Sequence, residues 1–114
     1  MIEVTWLGHS SFELKLSTGE LFLLDPWLDN PAAPSGYAPG RLDGILLSHG
    51  HDDHIGSVVA LAQQFACPVV AIYELGHFLM GKGVKNVIQM NKGGTAQVGP
   101  LRVTLTFASH SSTS

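Results

Sequence analysis

Gly44-Ile45-Leu46-Leu47-Ser48-His49-Gly50-His51-Asp52-Asp53-His54-Ile55 is the stretch whose reading decides the fold. A short apolar run, Gly44 to Ser48, reads as a strand. Ile55, Val58, Val59, Ala62 and Phe65 then recur at helical spacing, which predicts a helix from about Ile55 to Phe65. Between them, six residues hold three imidazoles and two carboxylates. A strand-to-helix turn aims several side chains into one small volume. Imidazole nitrogen and carboxylate oxygen are the usual ligands of zinc and its neighbours. At this chain's own histidine and aspartate frequencies, H-x-H-x-D-H arises by chance in about seven of ten thousand such chains. The plain alternative is a solvated polar loop joining strand to helix.

Within the cluster, His49 and His51 stand two apart and are placed to chelate one cation. Asp53 and His54, adjacent at the expected helix start, are placed toward a second cation beside the first. Gly50 leaves room for tight backbone geometry. Asp53 also suits a helix cap, but Asp52 does so equally well and leaves Asp53 to bind. Two histidines alone make a poor site, because a catalytic zinc usually takes three protein ligands and keeps one position open. His110, after a late strand and among Ala108, Ser109, Ser111 and Ser112, is the best third candidate. A surface histidine is the competing reading, and spacing alone does not decide between them.

Upstream of the cluster, Ile2 to Leu7 and Phe12 to Leu16 alternate polar and apolar, and Leu21 to Leu24 is an apolar strand ending at Asp25-Pro26. These three predict an antiparallel meander. Pro26 to Arg41 holds four prolines and reads as a long irregular loop; its Trp27 and Tyr37 either cover a pocket or anchor the loop. Downstream, Pro68 to Ile72 and Asn86 to Met90 read as strands flanking a helix over Glu74 to Met80. Thr95 to Val98 and Leu101 to Phe107 read as a hairpin around Gly99-Pro100. A meander followed by alternating helices and strands predicts an α/β fold, a mixed β-sheet with helices mainly on one face.

The chain has 114 residues, 45% hydrophobic and 13% charged, enough for one domain with a buried core. Such low charge predicts that part of the surface is covered by a partner. The net charge is −3, and the six basic residues are scattered, which argues against nucleic acid as a partner. No apolar run reaches bilayer-spanning length, and no basic leader precedes an apolar stretch, so neither a membrane nor a signal peptide is expected. Cys67 is the sole cysteine, so no internal disulfide forms; a reducing, cytoplasmic location is expected. Next to Pro68 and a run of aliphatics, Cys67 reads as a small buried hydrophobe rather than a nucleophile.

Asp25 at a strand end, His49-x-His51-x-Asp53-His54 and His110 after a later strand resemble the first three motifs of the metallo-beta-lactamase superfamily. Trp6-Leu7-Gly8-His9-Ser10-Ser11-Phe12 and Leu24-Asp25-Pro26-Trp27 resemble its branch of metal-dependent hydrolases related to ascorbate 6-phosphate lactonase. The resemblance spans essentially the whole chain and implies the following. His49, His51 and His110 bind a first metal, and Asp53 and His54 contribute to a second. Asp25 holds the histidine loop by hydrogen bonds. His9 is outside the general ligand set and either lines the site or serves the structure. Family members comprise two similar βα halves of an αββα fold, and this chain matches the first; the later bridging aspartate and final histidine have no counterpart here. The implied cofactor is one or two divalent ions, zinc first, with manganese, iron and nickel compatible. The implied function is a hydrolase in which metal-activated water attacks a small lactone, ester or phosphoester, with Asp53 orienting the nucleophile or moving a proton. As an incomplete half, the chain is expected to show little activity. The competing class is a non-catalytic metal-binding or assembly fragment. The face that would meet the other half is expected to be apolar and exposed, which predicts a homo-oligomer, in the simplest case a dimer.

Overall fold

Alternation along the central strands sorts their side chains into two cores, one on each face of a sheet. The computed structural model describes residues 2–8, 11–26, 37–48, 52–90 and 94–104, with 52–56 as helical backbone. Strands β1 (Ile2–Trp6), β2 (Phe12–Leu16) and β3 (Leu21–Leu24) form the expected antiparallel meander. β3 then pairs in parallel with β4 (Gly44–Leu46), β4 with β5 (Val69–Ile72), and β5 with β6 (Val87–Met90). Helix α1 (Asp52–Phe65) connects β4 to β5, and α2 (Tyr73–Gly81) connects β5 to β6. The six strands follow the order β1-β2-β3-β4-β5-β6, and β7 (Thr95–Val98) with β8 (Leu101–Thr104) forms a separate antiparallel hairpin.

Leu21, Leu23, Ile45, Val69 and Ala71 face the helices and pack with Val58, Leu61, Ala62 and Leu79. Phe22, Leu46 and Val70 face the other way and pack with Met90 and with Val98 of the hairpin. Both helices therefore cover one face, as the periodicity predicts, and the hairpin covers part of the other. β4 is buried at all three positions, which explains why its sequence is apolar without alternation.

The boundaries differ in informative places. α1 begins at Asp52, three residues before the expected Ile55; carboxylates are favoured in a helix's first turn, and apolar periodicity does not register them. β4 stops at Leu46 rather than Ser48, for a reason given below. Tyr37 serves as an anchor: its ring packs against the helix-side core and its hydroxyl donates to Glu13 Oε2 at 2.5 Å. Burial, first, and the Glu13 carboxylate hold that hydroxyl well above the usual phenol range. Trp27 and the expected strand positions 105–107 lie outside the described residues.

Gly44 is needed where β4 enters between the two cores. A Cβ there would lie 2.8 Å from the Phe22 ring carbons Cδ2 and Cε2 and 3.2 Å from Val98 Cγ1. Phe22 is fully buried and has nowhere to move. Gly44→Ala is expected to lower the unfolding free energy by about 1–3 kcal/mol, read as a lower urea midpoint at unchanged slope.

Candidate metal centre

Strand direction brings the candidate segments to one rim. β3, β4, β5 and β6 run parallel, so their carboxyl ends share an edge of the sheet. β2 runs opposite to β3, and β1 opposite to β2, so β1 ends and β2 begins at that same edge. Crevices outside the carboxyl ends of parallel strands are where open α/β sheets bind ligands. The described residues flanking the histidines stand there: Gly8 and Ser11 around His9, and Ser48 and Asp52 around His49 and His51. Val98 packs at the far end of the strands against Phe22 and Gly44, and the register Val98↔Leu101, Thr95↔Thr104 turns β8 back toward the carboxyl edge, ahead of His110.

Asp25 is the best-defined member of the site. Its side chain is buried, at 3% exposure. Oδ1 accepts the backbone N–H of Ser48 at 2.8 Å, and Oδ2 accepts the Ser48 hydroxyl. These bonds explain why β4 ends early. Leu47 N–H still makes the next interstrand bond, to Val70 O at 2.9 Å, but Ser48 turns its N–H to a carboxylate instead of a strand. These two bonds hold both the backbone N–H and the hydroxyl of Ser48, the last described residue before His49.

The same residue also binds the other turn. Asp25 N–H donates to Leu46 O at 2.9 Å, and Asp25 O accepts the hydroxyl of fully buried Ser11 at 2.7 Å. Ser11 closes the β1–β2 turn: Leu7 N–H donates to Ser11 O at 2.8 Å and Ser11 N–H to Gly8 O at 3.0 Å, with Gly8 at φ 97. Asp25 itself has φ 45, a left-handed backbone that costs most residues about 1 kcal/mol and that aspartate tolerates better than most. Strain kept in place by surrounding bonds is typical of functional sites.

The other sequence candidates divide by what the structure describes. The backbone of Asp53 and His54 lies in the first turn of α1, adjacent to the Ser48 brace in sequence and at the carboxyl edge. Their side chains, and His9, His49, His51 and His110, lie outside the described residues. Ser11 and Ser48 are the positions that motif reading missed; the one available clue was a small hydroxyl at each junction of an apolar strand with a histidine segment. His77 is not part of this group: it lies exposed on α2, stacked on Tyr73 with ring centroids 6.4 Å apart.

Cys67 is a buried hydrophobe, as expected. It precedes β5 at the opposite edge, and burial, above all, pushes its thiol up to about 11, so it stays protonated at neutral pH. A cleft of about 370 Å³ beside it, lined by Ala62, Gln63, Lys85 and Asn86, likewise lies away from the candidate centre.

The metallo-beta-lactamase superfamily domain matches residues 4–111 of this sequence. The chain belongs to the metallo-beta-lactamase superfamily. Among curated relatives, a UPF0173 metal-dependent hydrolase of Solibacter usitatus is 50% identical over 111 residues, covering 96% of this chain and 48% of that protein. A second such hydrolase, of Koribacter versatilis, is 46% identical with the same coverage. The chain thus spans about half the length of the curated relatives it matches. Among solved structures, Igni18, a metallo hydrolase from Ignicoccus hospitalis, superposes with a TM-score of 0.85 at 32% identity, covering 97% of this chain and 50% of that one. CmlA, a diiron beta-hydroxylase from Streptomyces venezuelae, shares the fold at a TM-score of 0.75 and 22% identity, over 94% of this chain and 24% of its own. The mixed sheet with helices on one face is thus the metallo-beta-lactamase fold, and the curated relatives that the chain matches are named metal-dependent hydrolases.

Removing the Asp25 carboxylate leaves both Ser48 donors without these acceptors. Asp25→Ala is expected to cost about 1–3 kcal/mol of stability. Asp25→Gly removes the same carboxylate but relieves the left-handed backbone, and is expected to lose about 1 kcal/mol less than alanine. Chemical denaturation of the two variants beside the parent measures both effects; equal loss in both would remove the backbone argument.

Proposed function

We propose that this chain carries the first-metal ligands of a metal-dependent hydrolase, one βα half of the two-half superfamily fold. The observation that supports this best is the Asp25 carboxylate fastened to Ser48, the residue immediately before His49. A buried carboxylate that fixes the backbone entering a histidine cluster is the outer support such centres need. The donor set also suits a divalent cation: imidazole nitrogens with a carboxylate oxygen, at the ligand-binding edge of the sheet.

In this reading His49, His51 and His110 hold the first cation, zinc in the first instance, and Asp53 with His54 contributes to a second. A bound cation supplies Lewis acidity and lowers the pKa of water in its shell. Asp53 accepts a proton from the attacking water or orients it through a carboxylate oxygen. Asp25 does not touch substrate; it positions the loop. His9, between Gly8 and Ser11, lines the site from the neighbouring turn. The substrate is a small lactone, ester or phosphoester. The sole, buried cysteine is compatible with a cytoplasmic location, and no helix among the described residues is long and apolar enough to cross a membrane.

A second reading is favoured by the exposed apolar side chains Ile2, Val4 and Trp6: a metal-binding or assembly unit without turnover, which associates with itself through a face that the other half of the fold would cover.

Zinc uptake by the purified chain, followed by calorimetry and elemental analysis, tests the metal centre. The parent is expected to bind zinc. Asp25→Asn is expected to weaken binding by about 10–100-fold, and His51→Ala by more than that, since it removes a ligand rather than its support. Equal affinity in the parent and His51→Ala would overturn the assignment. Hydrolysis of generic lactones and phosphodiesters, lost in His51→Ala, separates the hydrolase from the assembly unit; zinc binding without hydrolysis selects the latter.

A further inference from the structure

Among the described residues, the buried polar or charged ones are Ser11 and Asp25, and they are bonded to one another. The β1–β2 turn does not require the Ser11 hydroxyl. Leu7 N–H to Ser11 O and Ser11 N–H to Gly8 O are main-chain bonds that an alanine would make equally well. The hydroxyl instead reaches 14 residues along the chain and donates to the Asp25 carbonyl at 2.7 Å. Asp25 is where such a bond matters. Its φ of 45 is left-handed, and the next residue, Pro26, drives the residue before it toward extended backbone. Pro26 is itself fully buried, so the proline does not shift to relieve the conflict. With the Asp25 N–H held on Leu46 O at 2.9 Å, φ decides where Cβ points. Turning φ negative swings Cβ, and the carboxylate with it, away from Ser48.

We infer that Ser11 is a positioning residue of the candidate metal centre: its hydroxyl holds Asp25 in the backbone conformation that aims the carboxylate at Ser48. This rests on the metal-centre reading above and adds a control on cation affinity from the neighbouring turn. In this role Ser11 touches neither cation nor substrate and acts through Asp25. Ser11→Ala removes one buried oxygen and lets Asp25 relax toward extended backbone. The carboxylate stays in the molecule but loses its aim.

Zinc calorimetry on the 114-residue chain, with Ser11→Ala made in the parent and in Asp25→Ala, tests this. Ser11→Ala is expected to weaken zinc binding about tenfold in the parent, the low end for groups that support ligands. In Asp25→Ala, where no carboxylate is left to aim, it is expected to change affinity by less than about twofold. The Ser48 amide proton, bonded to the carboxylate, is expected to move upfield in metal-free Ser11→Ala. Ser11→Cys, close in volume and with only a weak S–H donor, is expected to give the same pattern and carries the test where alanine does not fold. Unchanged zinc affinity and an unmoved Ser48 amide in a folded variant would overturn the inference. An equal loss of affinity in both backgrounds would also overturn it, because the effect would bypass Asp25. A parent without His51-dependent zinc binding would overturn the metal-centre reading instead, and the Ser48 amide would still report whether Ser11 aims the carboxylate.

Discussion

The bonds from the Asp25 carboxylate to Ser48 are the constraint on which the candidate centre depends. A chain leaving a parallel strand has no inherent reason to leave in one direction. Here the first N–H beyond the ladder is met by a buried carboxylate, and the serine hydroxyl is met by its second oxygen. The same aspartate holds the neighbouring turn through its carbonyl and Ser11. One residue therefore couples three strands, β1 by way of its turn, β3 directly and β4 at its end, at the edge where the histidines follow. Its left-handed backbone is maintained because these bonds offset it.

That arrangement rests in turn on the layering. The sheet has an apolar face toward the helices and an apolar face toward the hairpin, so the central strands are fixed from both sides. Phe22, Leu46 and Val70 on one side and Leu23, Ile45 and Val69 on the other leave β3, β4 and β5 little room to shift. Rigid strands make a dependable base for a site on the loops that leave them. Toward β1, Ile2, Val4 and Trp6 are exposed among the described residues.

Much of this was legible from residue order. The alternation of Phe12 to Leu16, the unbroken apolar run Leu21 to Leu24, and the periodicity of Val58, Ala62 and Phe65 placed strands and helices correctly, because each pattern reflects which faces are buried. Asp25 was legible as a support only through the family resemblance; spacing along the chain does not show that residues 25 and 48 meet. Ser11 and Ser48 were not legible, since serine at a strand end is common and its partner lies on another strand. The early start of α1 was missed because first-turn carboxylates answer to helix electrostatics rather than to apolar period. The exposure of β1 among the described residues was also hidden, because its alternation is that of an ordinary half-buried strand.

Anomalous diffraction from crystals of the zinc-loaded chain tests the central claim most directly. The account predicts a peak at the carboxyl edge of the sheet, beyond the Asp25–Ser48 bonds, with His49 and His51 as ligands and the Asp25 carboxylate still on Ser48. A peak at His77 or at the Cys67 edge with none beside Ser48, or His49 and His51 directed apart with no ion between them, would contradict it.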